Sequence, residues 1–470
     1  MSTATGPGRG KKRGTSAVDD QYVELEDRDD LGINKTQRGT LEDDFKNSDR
    51  SRKFDHSDKD SDKEDKNKED ADGFADGDDG EKKDPLGFLP FEGTAKKVAE
   101  WVSVALAVWL LLNAVGMIGS GFKTAAGDQA EQLFSFAENP FVGLAIGIIT
   151  TAIIQSSSTT TSIVVGMIAG GLPLGIAVPM LFGANIGTSV TSTLVAVGLS
   201  GNKKQFRNAF SMATVHDFFN LLALLIFFPL ELFFGVLSKS ASAIAPSLSG
   251  SGDNLFARIF EAVGDFIDLI TEPLVSLTEN IVSPLGDVWG GIILALVGVG
   301  LILLSISFIG NMLSSLLVGK AQEMLHAALG RGTFTGALSG ALITAFVQSS
   351  STTTALTVPL AGSGKFEVRQ LFPFVVGANI GTTVTGLIAA FSATGVEATA
   401  AMTGALVHTM FNVFAAVTIL GLPFLRKLPP AGSDWLARRA DENKLFVFLW
   451  VGGVFFVIPL LAVFISNMLT

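Results

Sequence analysis

The sequence predicts an all-α polytopic membrane protein made of two inverted-topology repeats, with re-entrant or discontinuous helices at a duplicated QSSS motif. Three observations carry that prediction. Ionic residues crowd into the first fifth of the chain, apolar runs of membrane-spanning length fill the remainder, and three short motifs recur in one order at a nearly constant offset. Of 470 residues, the first 90 hold 17 Lys/Arg and 25 Asp/Glu, against 17 and 20 in the other 380. A soluble globular domain carries roughly a quarter charged residues throughout, so this distribution excludes a soluble enzyme of such length. The net charge of −11 divides into −8 for the first segment and −3 for the rest. The nearly neutral body offers no basic surface for nucleic acid, and none is expected as a partner. The absence of cysteine excludes disulfides, thiolate zinc sites and thiol nucleophiles.

Taken in order, residues 1–92 read as a charged, disordered tail on the cytoplasmic side. Its Gly-rich, Lys-rich and Asp/Lys-mixed stretches contain too few apolar residues to offset the entropy of ordering. No apolar core follows the basic cluster at 9–13, so this is not the pattern of a signal peptide. From Trp101 the composition inverts. Apolar runs at about 98–119, 206–235, 292–318, 398–423 and 445–469 each reach the roughly 20 residues that a bilayer requires. Helices are the open-ended structures that satisfy their own backbone hydrogen bonds in lipid. The expected organisation is a first membrane repeat at 93–236, an acidic outer loop at 237–286, a second repeat at 287–425, and a basic loop with a final transmembrane helix at 426–470. A cell-membrane location follows, while the oligomeric state is left open.

The repeat rests on three motifs. QSSSTTT stands at 155–161 and 348–354, GANIGT at 183–188 and 377–382, and VHxxFN at 215–220 and 407–412. Loop charge gives the orientation of the copies, because Lys and Arg gather on the cytoplasmic side. Lys203, Lys204 and Arg207 stand at the start of the 206–235 helix, whereas Arg426, Lys427, Arg438, Arg439 and Lys444 follow the equivalent helix at 398–423. Equivalent helices therefore cross in opposite directions, the arrangement of secondary transporters whose sites lie at the repeat interface.

Before each QSSSTTT the apolar stretch is only 13 residues long, at 142–154 and 335–347. That gives about 20 Å of helix, too short for a hydrocarbon core of about 30 Å. A second set of short segments is expected to break at Gly170, Gly171 and Pro173 in one copy and at Gly362, Gly364 and Pro373 in the other. A broken helix inside a membrane attracts anions to its free N–H groups. Hydroxyl and carbonyl oxygens suit hard cations. Gln155, Ser156, Ser157, Ser158, Gln348, Ser349, Ser350 and Ser351 supply donors and acceptors for an oxyanion. Small residues also let helices pack closely in membranes, which accounts equally well for Thr160, Thr161, Thr353 and Thr354. A large amide is a poor packing residue. In GANIGT, Gly183, Gly187, Gly377 and Gly381 permit either interruption or close approach, while Asn185, Asn379, Thr188 and Thr382 offer oxygens.

Asp217 is an acid inside an otherwise apolar span, and its counterpart in the second copy is Thr409. An intramembrane acid is a functional-site candidate by default. His216 and His408 occupy matching positions, as packing histidines or as ligands.

Together the doubled QSSST and GANIGT motifs and ATVHDFFN at 213–220 resemble the type II sodium-dependent phosphate cotransporter family over about residues 95–425. The resemblance implies electrogenic sodium-coupled uptake of inorganic phosphate by alternating access, with sodium and phosphate as partners, the bilayer as solvent and no resident cofactor. Phosphate is implied at Gln155, Ser156–158, Gln348 and Ser349–351. Sodium is implied at Gln155, Ser158, Thr159, Asn185, Thr188, Asp217, Gln348, Ser351, Thr352, Asn379 and Thr382. The family pattern pairs the acid with two upstream alanines, of which this chain keeps Ala213 and has Ser211 at the other place. The alternatives are the same fold carrying another oxyanion, or an intramembrane hydrolase pairing a QSSS serine with His216 or His408.

Overall fold

The computed structural model of the protein describes residues 93–127, 139–252, 254–328, 332–393 and 396–469, which are helical nearly throughout and include no strand. The tail expected at 1–92 lies outside the described residues. Seven described segments are long and apolar enough to cross a membrane: Gly93–Ala126, Leu174–Gly198, Lys203–Phe234, Asp287–Leu313, Val368–Ala390, Glu397–Gly421 and Leu445–Met468. Five coincide with the spans expected from the sequence.

The chain breaks where expected at Gly170, Gly171 and Pro173 and at Gly362 and Gly364, between helices that end at Ala169 and Gly362 and begin at Leu174 and Val368. The second and fifth of the seven spans are longer than the short segments expected, and Pro373 does not end a helix but sits inside Val368–Ala390, as Pro179 sits inside its counterpart. Each proline is the sixth residue of its helix, so a single backbone bond is lost near an end. A glycine of the neighbouring helix leaves room for each ring: a Cβ on Gly143 or Gly336 would lie 3.2 or 3.3 Å from the proline Cβ.

In chain order, α1 (Gly93–Ala126) leads to α2 (Pro140–Ile154), α3 (Ser157–Ala169), α4 (Leu174–Ile186), a tight turn at Gly187–Ser189 and α5 (Val190–Gly198). Then comes α6 (Lys203–Phe234). Asn139 caps α2 by accepting from the Phe141 N–H at 3.0 Å, with Pro140 in the first turn where its missing donor costs nothing. Asn202 caps α6 in the same way, and Gly235 ends it in the left-handed conformation. The segment 237–286, expected as an acidic loop, is folded into α7 (Val236–Leu248) and α8 (Leu255–Val282).

The second copy comprises α9 (Asp287–Ala328), α10 (Thr333–Val347), α11 (Ser350–Ala355), α12 (Thr357–Gly362), α13 (Val368–Ala390) and α14 (Val396–Gly421). Pro359 explains why α11 and α12 are two pieces where α3 is one, since its ring excludes the bond to the Ala355 carbonyl. Gly166 holds the matching place in α3. After the repeats follow α15 (Pro423–Glu442), α16 (Leu445–Gly452), a wide turn at Gly453–Val457 and α17 (Ile458–Leu469).

Glycines set the packing. Gly143 and Gly147 of α2 face the backbone of Ile176 and Met180 in α4, while Gly183 and Gly187 face that of Leu144 and Ile148 in α2. In the second copy Gly340 of α10 faces the Phe374 carbonyl of α13, and Gly377 and Gly381 face the Ala337 and Ala341 carbonyls of α10. Two GxxxG faces pressed together bring backbones into contact, as small residues do in membranes. The GANIGT glycines thus serve close approach, and in the second copy the helix runs through them without interruption.

The first helices of the two copies pack on each other in opposite directions: Gly121 of α1 meets Gly291 of α9, and Gly298 of α9 meets Ala114 of α1. This antiparallel pair is the structural form of the inverted repeat. The copies also interlock. The half-helix α3 packs on α13 and α14 of the other copy, and α12 packs on α5 and α6. Likewise α7 crosses to α14 and α15 crosses to α6. The principal apolar cluster, including Phe182, Phe206, Phe210, Phe219, Phe372 and Phe411, lies between the copies.

Candidate functional site

The two QSSS motifs adopt one geometry. Gln155 ends α2 and Gln348 ends α10, at φ 58° and 57°, and these are the two non-glycine residues with positive φ among the described residues. Left-handed backbone costs a residue with a Cβ about 1–2 kcal/mol, and such cost concentrates at functional sites. Each backbone N–H closes its helix onto Thr151 or Thr344 at 2.7 Å. The amides are held from outside the hairpin: Thr191 Oγ1 donates to Gln155 Oε1 at 3.3 Å, and Thr385 Oγ1 to Gln348 Oε1 at 2.7 Å. Gln348 Nε2 donates to the Ala345 carbonyl. One residue later the next helix begins, with Ser156 Oγ accepting from the Thr159 N–H and Ser349 Oγ from the Thr352 N–H, both at 3.2 Å.

Both hairpin tips open into one cavity of about 270 Å³. Its lining comprises Gln155, Ser156, Ser157, Ser158 and Thr159 from the first copy, Gln348, Ser349, Ser350, Ser351 and Thr352 from the second, and Ile154, Leu303, Ile306, Ser307, Gly310 and Asn311. None of these is charged. Liquid water occupies about 30 Å³ per molecule, so a small oxyanion with accompanying ions is within the available space. Two helices begin at its wall, and their N-termini bias it toward negative charge.

The GANIGT and VHxxFN motifs build a second polar cluster across the interface between the copies. His216 Nε2–H donates to Asn379 Oδ1 of the second copy, and Ser189 Oγ donates to His216 Nδ1 at 2.8 Å. This tautomer follows from the network, because Asn379 Nδ2 donates to Asn220 Oδ1 at 2.7 Å and so leaves its oxygen as acceptor. Reciprocally, His408 Nε2 lies 3.2 Å from Asn185 Oδ1 of the first copy. Thr188 and Thr382 donate to the Ala184 and Ala378 carbonyls of their own helices. Asn185, Thr188, Asn379 and Thr382 are all buried and none lines the cavity.

Asp217 is also apart from the cavity lining and fully buried. Its Oδ2 accepts from Trp450 Nε1 at 2.8 Å, while Oδ1 has no hydrogen-bond partner. Ser211, where the family pattern has alanine, pairs with Ser433 Oγ at 3.1 Å. Neither His216 nor His408 lines the cavity, so neither is paired with a serine there.

The family model described as Na+/Pi-cotransporter matches residues 110–248 and 301–425, which is more than half of the chain and takes in both copies of every motif. The chain belongs to the Na+/Pi-cotransporter family. It is 30% identical over 430 residues to sodium-dependent phosphate transport protein 2A of Rattus norvegicus, covering 76% of this chain and 66% of the relative. The 2A protein of Ovis aries is 29% identical over 425 residues (75% and 65%), and the 2B protein of Bos taurus 29% over 446 (77% and 64%). The chain thus spans just under two thirds of the length of these relatives. No solved structure matches it.

Within this member of the family, several residues at the sites escape sequence reasoning. Ser307 and Asn311 reach the cavity from α9, and Thr191 and Thr385 hold the two amides. The last two stand 194 residues apart, the offset of GANIGT, which is the signal that could have found them. Ser307 and Asn311 lack polar counterparts in α1, and only their polarity within an apolar span marks them.

Proposed function

We propose that the protein is a sodium-coupled symporter of inorganic phosphate, located in the cell membrane with its N-terminal tail in the cytoplasm. The observation that carries this reading is the convergence of both QSSS hairpins on a single uncharged cavity. The names borne by the relatives, sodium-dependent phosphate transport proteins, support the same substrate and ion. The helix N-termini and the serine hydroxyls and N–H groups of 156–158 and 349–351 face the anion. Lacking any Lys or Arg, the cavity leaves countercharge to co-bound cations, so binding one partner raises affinity for the other. Gln155, Ser158, Thr159, Gln348, Ser351 and Thr352 contribute oxygens to sodium at the cavity. Asn185, Thr188, Asn379 and Thr382 belong to the interface that must rearrange during alternating access, and they add oxygens there.

Asp217, with one carboxylate oxygen unpartnered, is the site of an additional sodium. Three sodium ions per divalent phosphate move one net positive charge inward, and each charge gains about 2.3 kcal/mol per 100 mV. The test is radiolabelled phosphate uptake into proteoliposomes with sodium against choline, together with the current per phosphate. Sodium-dependent uptake is expected, with Asp217→Gly removing the current while uptake persists. Equal uptake in choline would sink sodium coupling, and an unchanged current in Asp217→Gly would make the acid structural. Sulfate or a carboxylate displacing phosphate with equal strength would reassign the oxyanion.

A further inference from the structure

Asp217 has no acidic counterpart in the second copy, and the group that holds it has no counterpart there either. Trp450 lies on α16, beyond both repeats, and its indole N–H reaches Asp217 Oδ2 at 2.8 Å across 233 residues of sequence. The indole is fixed by its neighbours. Its ring stacks on Phe218 with centroids 4.8 Å apart and planes 21° from parallel. Phe218 in turn packs on Gly432 of α15 so tightly that a Cβ there would stand 2.5 Å from the ring. Nearly two helical turns earlier on α6, the Ser211–Ser433 hydroxyl pair adds a second polar link from the post-repeat segment to the same helix. Shortly beyond Trp450 the helix widens at Gly453–Val457, just ahead of Pro459, which cannot donate the helical bond to Phe455.

A buried carboxylate with both oxygens free can rotate about its terminal torsion, which has broad minima. A donor on one oxygen fixes the plane and presents the other. Here the fixed oxygen is Oδ2 and the presented one is Oδ1, which is buried and unpartnered. The indole N–H is a donor only, so it holds a carboxylate without competing as a cation ligand.

We propose that Trp450 is a positioning residue for a cation site at Asp217, orienting the carboxylate so that Oδ1 faces the ion, and that the α15–α16 segment gives the first repeat an ion site absent from the second. This rests on the reading of Asp217 as a sodium ligand. The test uses the full chain in proteoliposomes and compares Trp450→Phe, which keeps an aromatic ring on Phe218 but loses the donor, with Asp217→Asn and with the double variant. Trp450→Phe is expected to raise the sodium concentration for half-maximal phosphate uptake about tenfold, leaving half-saturation by phosphate at saturating sodium within about twofold. In the Asp217→Asn background the same change is expected to add nothing.

A wild-type sodium response in Trp450→Phe, or an effect that adds fully to that of Asp217→Asn, would overturn the positioning role. A wild-type sodium response in Asp217→Asn would instead overturn the underlying reading of the acid. Because Trp450→Phe can fail to accumulate, intrinsic tryptophan fluorescence of the purified wild type and of Asp217→Asn is also titrated with sodium. A sodium-dependent change lost in Asp217→Asn supports the proposal, and emission from the wild type that ignores sodium overturns it.

Discussion

Replacing Gln155 or Gln348 by glycine and by alanine separates what these residues cost the fold from what they do for transport. Each sits at a helix end with φ near 58°, where a Cβ costs about 1–2 kcal/mol. Glycine removes that cost but gives back about 0.4–1 kcal/mol through the greater freedom of its unfolded chain. Both substitutions lose the amide. For Gln155 that means one long hydrogen bond from Thr191, and for Gln348 a bond of 2.7 Å from Thr385 and one to the Ala345 carbonyl. Such a bond contributes about 0.5–1.5 kcal/mol net. The amide loss is common to glycine and alanine at each position, so it cancels in their difference. Glycine is therefore predicted to be more stable than alanine by about 1 kcal/mol at both sites, with Gln155→Gly close to wild type. Thermal unfolding in detergent, followed by the loss of the monodisperse chromatographic peak, measures the ranking. Phosphate uptake by the same preparations should be lost in all four variants, since the cavity loses an amide in each. Alanine variants as stable as the glycine variants would refute the backbone argument, and uptake by Gln348→Gly at the wild-type rate would refute the role of the amide.

Two further outcomes test the frame around the cavity. Gly340→Val drives a branched side chain into the Phe374 carbonyl of α13; the protein is expected to accumulate poorly, and wild-type yield with wild-type unfolding would show that the two helices are not in backbone contact. Asp434 of α15 accepts from Arg438 at 2.5 Å and from Arg207 of α6 at 3.3 Å. Burial opposes its charge, but hydrogen bonds and attraction from Arg438 and Arg207 outweigh this and hold the carboxyl below its usual range. A depressed carboxyl stabilises above its unfolded value near 3.9 and loses that contribution as pH falls through the folded value. Asp434→Asn should thus lower stability at pH 7 by no more than about 1 kcal/mol, given its exposure, with the difference from wild type shrinking as the pH falls below about 4. A difference that grows in acid would contradict the sign.

The repeat and its orientation were legible because they rest on identities at fixed offsets and on loop charge, which survive without knowledge of packing. The pairing of α1 with α9 in opposite directions is what those signals imply. The span containing Pro373 was not legible, because a proline tolerated by a facing glycine looks in sequence like a proline that ends a helix, whereas the break at Gly170, Gly171 and Pro173 was. Gln155, Gln348 and the serines beside them were legible as a site by their duplication and by their polarity within apolar surroundings. Their union in one cavity was not, since it depends on how the copies interlock. The separation of Asn185 and Asn379 from that cavity likewise emerges only once each is seen to pair with a histidine of the other copy. Trp450 carried no signal, because a tryptophan in a final apolar helix is ordinary at a membrane boundary.

The central claim is that two sequence copies make one phosphate site whose countercharge is sodium. Equilibrium binding of radiolabelled phosphate to the purified protein, in sodium and in choline, tests it most directly. One phosphate per chain is expected in sodium, none measurable in choline, and loss of that single site in either Gln155→Ala or Gln348→Ala. Two phosphates per chain, a site that persists when one of the two motifs is disabled, or equal binding in choline would contradict it.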